Sequence, residues 1–248
     1  MPIPVRQNIV GSKWVFKLKR DANGNINHYK ARLVAQGYSL QLGFDYEELY
    51  SPVVCYNSLW LLIALSAFHH WRLQQLDIKA AFLYGNLNKD IYMQLSEGSW
   101  IDRMCRKLNK CIYGLKQSLR EWYHRLIDFL TPYGFVVSNF DPYVLMFKSD
   151  NDSHNDTNNT NNILFIAIYV DDLSLFGPKG PVMDNLKDLL KSEFKVTDLG
   201  DLHWLLGIRI EYRNHDIALS QSAYIDTILK RFDLYDCNLV TYPLDKNH

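Results

Sequence analysis

The sequence is poor in the features that define several large protein classes. Only four of its 248 residues are cysteine. Cys55, Cys105, Cys111 and Cys237 form no CxxC pair and no zinc-ligand spacing, which argues against a disulfide or metal framework and leaves reduced, mostly buried thiols. No apolar run approaches the ~20 residues needed to span a bilayer; the longest, at 59–65 and 163–170, stop well short. The start Met1-Pro-Ile-Pro-Val-Arg lacks the apolar core of a signal peptide. A soluble, intracellular chain with no membrane partner is the expectation. No P-loop pattern and no Gly-x-Ser-x-Gly elbow appear, so P-loop NTPase and acyl-transfer chemistry are disfavoured. No internal repeat is visible. Charge of one sign is lacking too: 27 Lys and Arg meet 27 Asp and Glu, a balance that at first argues against a nucleic-acid partner.

What is present is a core. With 48% apolar and 14% aromatic residues, the composition is far from that of disorder, and the length suits one large domain or two intimately packed ones. The charges are also unevenly placed. Residues 1–44 carry seven Lys and Arg against the single Asp21, and residues 103–125 carry seven against Glu121. The compensating acids come later and include Asp171 and Asp172. Two basic tracts and an acidic spot suit a protein that holds phosphates and a cation, although solvated faces would give the same pattern.

The periodicity of the chain outlines its elements. Residues 14–19 alternate apolar and basic, Asp21-Ala-Asn-Gly-Asn makes a turn, and residues 28–36 resume an extended pattern, which predicts a β-hairpin with cations on one side. Asn57 or Ser58 can cap a helix through Leu59, Leu62, Ile63 and Ala67 that is apolar nearly all round and therefore buried. A strand is expected over 71–77, a helix over 119–132 and a strand over 143–148. The polar stretch 149–162 has no apolar residue and is expected to be a disordered surface loop. Residues 163–170 and 173–176 read as a buried hairpin with Asp171 and Asp172 at its tip. Pro181 opens a helix reaching Phe194; strands at 203–212 and 217–220 and a helix over 223–232 follow. Without a regular βαβ repeat this is an α+β fold.

Adjacent aspartates at a tight turn between apolar strands repel each other and raise each other's pKa. A divalent cation removes that repulsion, and Mg²⁺ prefers carboxylate oxygens while keeping waters and phosphates as its other ligands. That points to phosphoryl chemistry, the plain alternative being acids that merely polarise an exposed turn. Asp77 ends the expected strand 71–77, where it either caps a following helix or joins the pair. In the second case three carboxylates could hold two metal ions ~3.5–4 Å apart for an in-line displacement.

The residues Tyr169-Val170-Asp171-Asp172 resemble the catalytic hairpin of reverse transcriptases, and Gln75-Leu76-Asp77-Ile78-Lys79-Ala80-Ala81-Phe82-Leu83 resembles their first catalytic motif. Gly11-Ser-Lys-Trp-Val-Phe-Lys17, Tyr29-Lys-Ala-Arg-Leu-Val-Ala-Gln-Gly37, Tyr50-Ser-Pro-Val-Val54, Tyr113-Gly-Leu-Lys-Gln-Ser118, Asp198-Leu-Gly200 and Leu206-Gly207-Ile208 narrow this to copia-type LTR-retrotransposon polymerases. These blocks stand in the family's order over nearly the whole chain.

The resemblance implies a right-hand polymerase core over 1–248, with fingers at approximately 9–72 and 84–117 and a palm at approximately 73–83 and 118–245. It implies two Mg²⁺ ions, replaceable by Mn²⁺, held by Asp77, Asp171 and Asp172 as catalytic metal ligands. Phe82 falls at the aromatic steric gate that selects dNTP over NTP, the alternative being a core aromatic. Lys30 and Arg32 would grip the triphosphate, with Lys17 or Arg20 as substitutes, and Tyr113 and Gly114 would lie under the nucleotide. Lys17 and Lys116 would meet the nucleic-acid backbone, and Leu206 and Gly207 the primer. The implied partners are an RNA or DNA template, a DNA primer, dNTPs and other domains of a Pol polyprotein, in the cytoplasm, in a virus-like particle for an active element, or in the nucleus. Leu119 stands where the family has Pro, and Cys55 where it has a polar residue. No thumb of usual size, RNase H, protease or integrase domain is expected, which suits a fragment or a decayed copy. A remnant that binds nucleic acid or a partner without turnover is the alternative function, and a Mg²⁺-dependent phosphohydrolase a distant third.

Overall fold

The computed structural model describes residues 1–4, 7–20, 25–48, 53–96, 98–99, 104–148, 163–214 and 216–237. The chain opens with β1 (Ile9–Val10), β2 (Ser12–Arg20) and β3 (Ile26–Ala35), and β2 and β3 form the expected antiparallel hairpin. Its turn at 21–25 falls largely outside the described residues, as does the whole stretch 149–162. Helix α1 (Tyr56–Phe68) leads to β4 (Gln74–Ile78), followed by β5 (Tyr92–Gln94) and β6 (Cys105–Lys107). Helix α2 (Ser118–Leu130) precedes β7 (Phe135–Val137), β8 (Val144–Lys148), β9 (Ile163–Tyr169) and β10 (Asp172–Phe176). Helix α3 (Pro181–Glu193), β11 (Val196–Asp201), β12 (Trp204–Leu205), β13 (Ile208–Arg213), β14 (Asp216–Ser220) and α4 (Ser222–Arg231) complete the described chain. This is the mixed helix and sheet content expected.

The centre is an antiparallel sheet in the order β11-β4-β10-β9-β8-β7. Side chains alternate across a strand, so Leu164, Ile166 and Ile168 of β9 and Leu173 and Leu175 of β10 point to one face. There they meet Trp122, Leu126 and Leu130 of α2 and Met183, Leu186 and Leu190 of α3. Each such Leu or Ile contributes about 1.5–3 kcal/mol by leaving water. The other face carries Ala167 and Phe176, which pack with Leu59, Leu62 and Ile63 of α1. A separate cluster of Val10, Ala35, Leu40, Tyr46, Ile91, Met93 and Leu115 joins β3 to the sheet β1-β5-β6.

Four expectations change. Helix α1 is buried along one side only, because the sheet covers one face and leaves Tyr56, Leu61 and Phe68 exposed. Its start is capped by neither Asn57 nor Ser58. The buried Asp141 carboxylate accepts the Cys55 backbone N–H at 2.9 Å and, with its other oxygen, that of Tyr143 at 3.0 Å. The strand expected over 203–212 is instead the β12–β13 hairpin. It turns at Leu206 and Gly207, both with positive φ (51° and 83°), the sign pattern of a type I′ turn. Finally, the two aspartates do not share the tip of the β9–β10 turn: Tyr169 pairs with Asp172, so the tip residues are Val170 and Asp171.

Candidate active site

Strand β4 lies between β10 and β11, and its register sets Asp77 directly opposite Asp172. Asp77 is therefore a strand residue and caps no helix. Within β4 the buried positions are Gln74, Leu76 and Ile78, so Asp77 and Gln75 occupy the opposite, half-open face. Asp172 begins β10 on that same face, where Gln75 Nε2 donates to its Oδ1 at 3.3 Å. Asp171 leaves the turn beside them, and its carbonyl accepts the Ile78 N–H at 2.9 Å. Burial, then the charges of Asp171 and Asp77, pushes the Asp172 carboxyl above its ordinary value, with Gln75 opposing weakly. Three acids thus meet where nothing basic on their own strands compensates them.

The compensation faces them from the β2–β3 hairpin. A cavity of about 530 Å³ is lined by Asp77, Asp171 and the segment Ile78-Lys79-Ala80 together with Lys19, His28, Lys30 and Arg32 of the β2–β3 hairpin. The register explains that wall, since Lys17 pairs with Lys30 and Lys19 with His28, so period-2 alternation puts these side chains and Arg32 on one face. Burial, then Arg32 and Lys19, lowers the Lys30 pKa, while Asp77 and Asp171 pull the other way. Lys19 and His28 were not singled out from the sequence, although their parity with Lys30 and Arg32 was there to read.

Tyr113 joins the two walls. Its hydroxyl donates to Asp171 Oδ2 at 3.1 Å, and the Arg32 guanidinium lies over its ring at 4.7 Å from the centroid. Burial, then the Asp171 charge, raises the Tyr113 pKa, so the phenol stays protonated and donating. Phe82 is only 6% exposed and meets the Tyr113 ring edge-on at 4.3 Å. Phe82 therefore backs the cavity wall from within the core, and Tyr113 presents it.

Other expected site residues have different surroundings. A Cβ on Gly114 (φ 94°) would sit 2.0 Å from the Ala35 carbonyl oxygen, and one on Gly37 would sit 1.9 Å from the Gly114 carbonyl oxygen. The close approach that Gly114 permits is thus between two backbone segments, fastened by the Ala35 N–H to the Tyr113 carbonyl at 2.9 Å. Lys116 donates to the Leu40 carbonyl at 3.2 Å and the Tyr46 hydroxyl at 3.0 Å, which leaves one of its N–H donors for an outside acceptor. Lys17, Lys116, Leu206 and Gly207 are not among the described residues lining the cavity.

The donor set fits a divalent cation in one respect: two hard carboxylates, Asp77 and Asp171, line the cationic cavity, and Asp172, outside that lining, is near enough to feel both their charges. Among the described residues, however, no three His, Cys, Asp or Glu side chains form a ready cage. An open set of this kind suits Mg²⁺, which relies on water and phosphate oxygens for the rest of its shell.

Comparison with known proteins identifies the family. The family model "Reverse transcriptase (RNA-dependent DNA polymerase)" matches residues 1–246. The chain is 36% identical over 247 residues to the "Retrovirus-related Pol polyprotein from transposon TNT 1-94" of Nicotiana tabacum, covering 98% of this chain and 18% of that protein. It is 36% identical over 248 residues to the corresponding polyprotein from transposon RE1 of Arabidopsis thaliana, covering 98% of this chain and 16% of that protein. Against the "Transposon Ty1-BL Gag-Pol polyprotein" of Saccharomyces cerevisiae it is 26% identical over 215 residues, covering 84% of this chain and 11% of that protein. The chain spans less than a fifth of the length of these relatives. Paired acids across β4 and β10, a cationic hairpin opposite them and a family match over nearly every residue lead to one assignment: the chain belongs to the reverse transcriptase family, in the form found in retrotransposon Pol polyproteins.

Proposed function

We propose that this chain is the polymerase core of a retrotransposon reverse transcriptase, an RNA- and DNA-directed DNA polymerase that adds dNTPs to a DNA primer on a template. The central sheet with its helices acts as the palm, covering approximately 73–83 and 118–245. The β2–β3 hairpin and the β1-β5-β6 sheet act as the fingers within 9–72 and 84–117. Helix α1 falls in the first of these stretches yet packs with the sheet, so we assign it to the palm.

The observation that carries the reading is the facing of Asp77 and Asp171 with Lys19, His28, Lys30 and Arg32 across one cavity. A nucleoside triphosphate is the ligand class whose charge suits such walls. Its tail would lie against the cations, Arg32 offering a planar fork and Lys30 a point charge. Asp77, Asp171 and Asp172 would hold two Mg²⁺ or Mn²⁺ ions, which when bound activate an attacking hydroxyl and stabilise the leaving oxygen. Tyr113, supported by Phe82, would face the incoming sugar. Gly114 would hold Tyr113 in place through its backbone contact, and Lys17 and Lys116, with Leu206 and Gly207, would meet template and primer.

Primer extension by the purified chain on an RNA template, with Mg²⁺ and Mn²⁺ compared, tests the reading. Template-directed products should form and should disappear in Asp77→Asn and in Asp171→Asn. Extension that survives both substitutions would refute the site. Salt-dependent duplex binding without incorporation would point to a remnant that only binds, and phosphate release without a template to a hydrolase.

A further inference from the structure

The β9–β10 turn is held in a conformation its sequence disfavours. Val170 has φ +59°, a region that costs a β-branched residue of order 1–3 kcal/mol. Where a two-residue hairpin turn needs positive φ at its first central position, glycine is the usual occupant. Strain of this kind persists only where the surroundings over-determine it, and two hydrogen bonds do so here. The Trp122 indole N–H donates to the Val170 carbonyl at 2.8 Å. The Ile78 backbone N–H donates to the Asp171 carbonyl at 2.9 Å. Both carbonyls of the tip are tied, one to α2 and one to β4. The first anchor is rigid: Trp122 is fully buried, with the Tyr84 and Phe194 rings at 6.0 and 5.3 Å from its own.

We propose that Trp122 is a positioning residue for nucleotide addition, whose indole N–H holds Val170 in the left-handed region and thereby sets the direction in which Asp171 leaves the turn. An indole has one N–H and no acceptor, so phenylalanine keeps an aromatic ring at the site and deletes the anchor, along with some packing volume that the glycine variant below controls for. The role in nucleotide addition rests on the polymerase reading; the anchoring of the turn does not.

The test compares the wild-type chain, Trp122→Phe, and Trp122→Phe combined with Val170→Gly. Two quantities are read: amide hydrogen exchange over residues 165–176, and the maximal single-turnover incorporation rate alongside dNTP half-saturation. Trp122→Phe should speed exchange at the turn severalfold and slow incorporation about tenfold, leaving half-saturation within about twofold, since displacement of a catalytic group acts on the rate. Glycine at 170 adopts positive φ without strain and should restore most of both losses, which it would not do if Trp122 served core packing alone. Unchanged exchange in Trp122→Phe, or a double variant no better than the single one, would overturn the inference. Should Trp122→Phe fail to fold, exchange of the ¹⁵N-labelled indoles in the wild-type chain decides. Trp122 is the most deeply buried of the described tryptophans, and an indole N–H protected to the level of global unfolding is expected, whereas exchange of every indole within seconds would overturn the anchor. A wild-type chain that incorporates no nucleotide would sink the polymerase reading, while the exchange measurements would still decide the anchoring.

Discussion

Asp172 stands directly opposite Asp77 across the β4–β10 ladder, so the register of the sheet forces two like charges onto one face beside Asp171. Like charges directly opposite on neighbouring strands are destabilising, and the raised Asp172 pKa reflects burial first and then the charges of Asp171 and Asp77. Asp172→Asn should therefore stabilise the metal-free chain while impairing it. A rise in melting temperature of about 2–4 °C, near 1 kcal/mol for a domain of this size, is expected with at least a tenfold loss of primer extension. A calorimetric melt showing no gain would mean the repulsion is already relieved.

The same substitution has a pH signature. The folded-state pKa of Asp172 lies above its ordinary 3.8, so the folded chain holds this proton more tightly than the unfolded one. The stability it contributes is fully present below pH ~4 and is lost as pH rises through the folded value. Asn carries no such proton. The gain of Asp172→Asn over wild type should thus be near zero at pH ~4 and grow toward pH ~7. A difference independent of pH would remove Asp172 ionisation as the cause.

How much of this was legible in the sequence differs by residue. The β9–β10 hairpin announced itself through an unbroken apolar run followed by two acids, and the hairpin of cations through alternation. The exact tip did not, because whether Asp172 sits in the turn or in the ladder depends on pairing with Tyr169 and Asp77. Strand β11 was missed because it is polar and carries a register shift between Asp198 and Gly200, and it is held by β4 on one side and by the Lys187–Asp198 ion pair at 2.8 Å. The capping role of Asp141 has no signal in the sequence, since the Cys55 amide it holds is 86 residues away. Long-range partners of this sort leave no local periodicity.

Gly114 tests the backbone crossing between the β3 end and the residue 113–117 turn. Gly114→Ala would place a methyl carbon 2.0 Å from the Ala35 carbonyl oxygen at φ 94°, and backbone on both sides leaves no flexible atom to yield. A loss of about 3 kcal/mol or more is expected. Gly43→Ala is the control: φ is 82° there with open space around it, so only the left-handed penalty of about 1–2 kcal/mol remains. Chemical denaturation of the two variants should separate them clearly; equal losses would mean that the crossing is not closely packed.

The Tyr113 hydroxyl occupies one oxygen of Asp171 at 3.1 Å, in competition with any cation that carboxylate binds. Tyr113→Phe removes the competitor while keeping the ring under Arg32. If the bond is worth about 1 kcal/mol, Mn²⁺ should bind the chain alone about fivefold tighter, as read by loss of the free-ion signal in electron paramagnetic resonance. Weaker Mn²⁺ binding in this variant would instead make the hydroxyl a supporter of the site.

The cationic wall makes the sharpest distinction among neighbours of identical chemistry. Lys17 and Lys19 are two residues apart on the same face of β2, yet Lys19 lines the cavity opposite Asp77 and Asp171 and Lys17 does not. Lys19→Met should raise the dNTP concentration for half-maximal extension about tenfold, because a charge-assisted contact to the triphosphate is lost. Lys17→Met should leave that concentration near wild type and weaken primer–template binding across sequences, with a shallower salt dependence. The two readouts separate the roles: nucleotide titration at saturating primer–template for one, binding isotherms at several salt concentrations for the other. If Lys17→Met raised the nucleotide requirement as much as Lys19→Met, the cations would act as a diffuse field, and the cavity would have no defined place for the triphosphate.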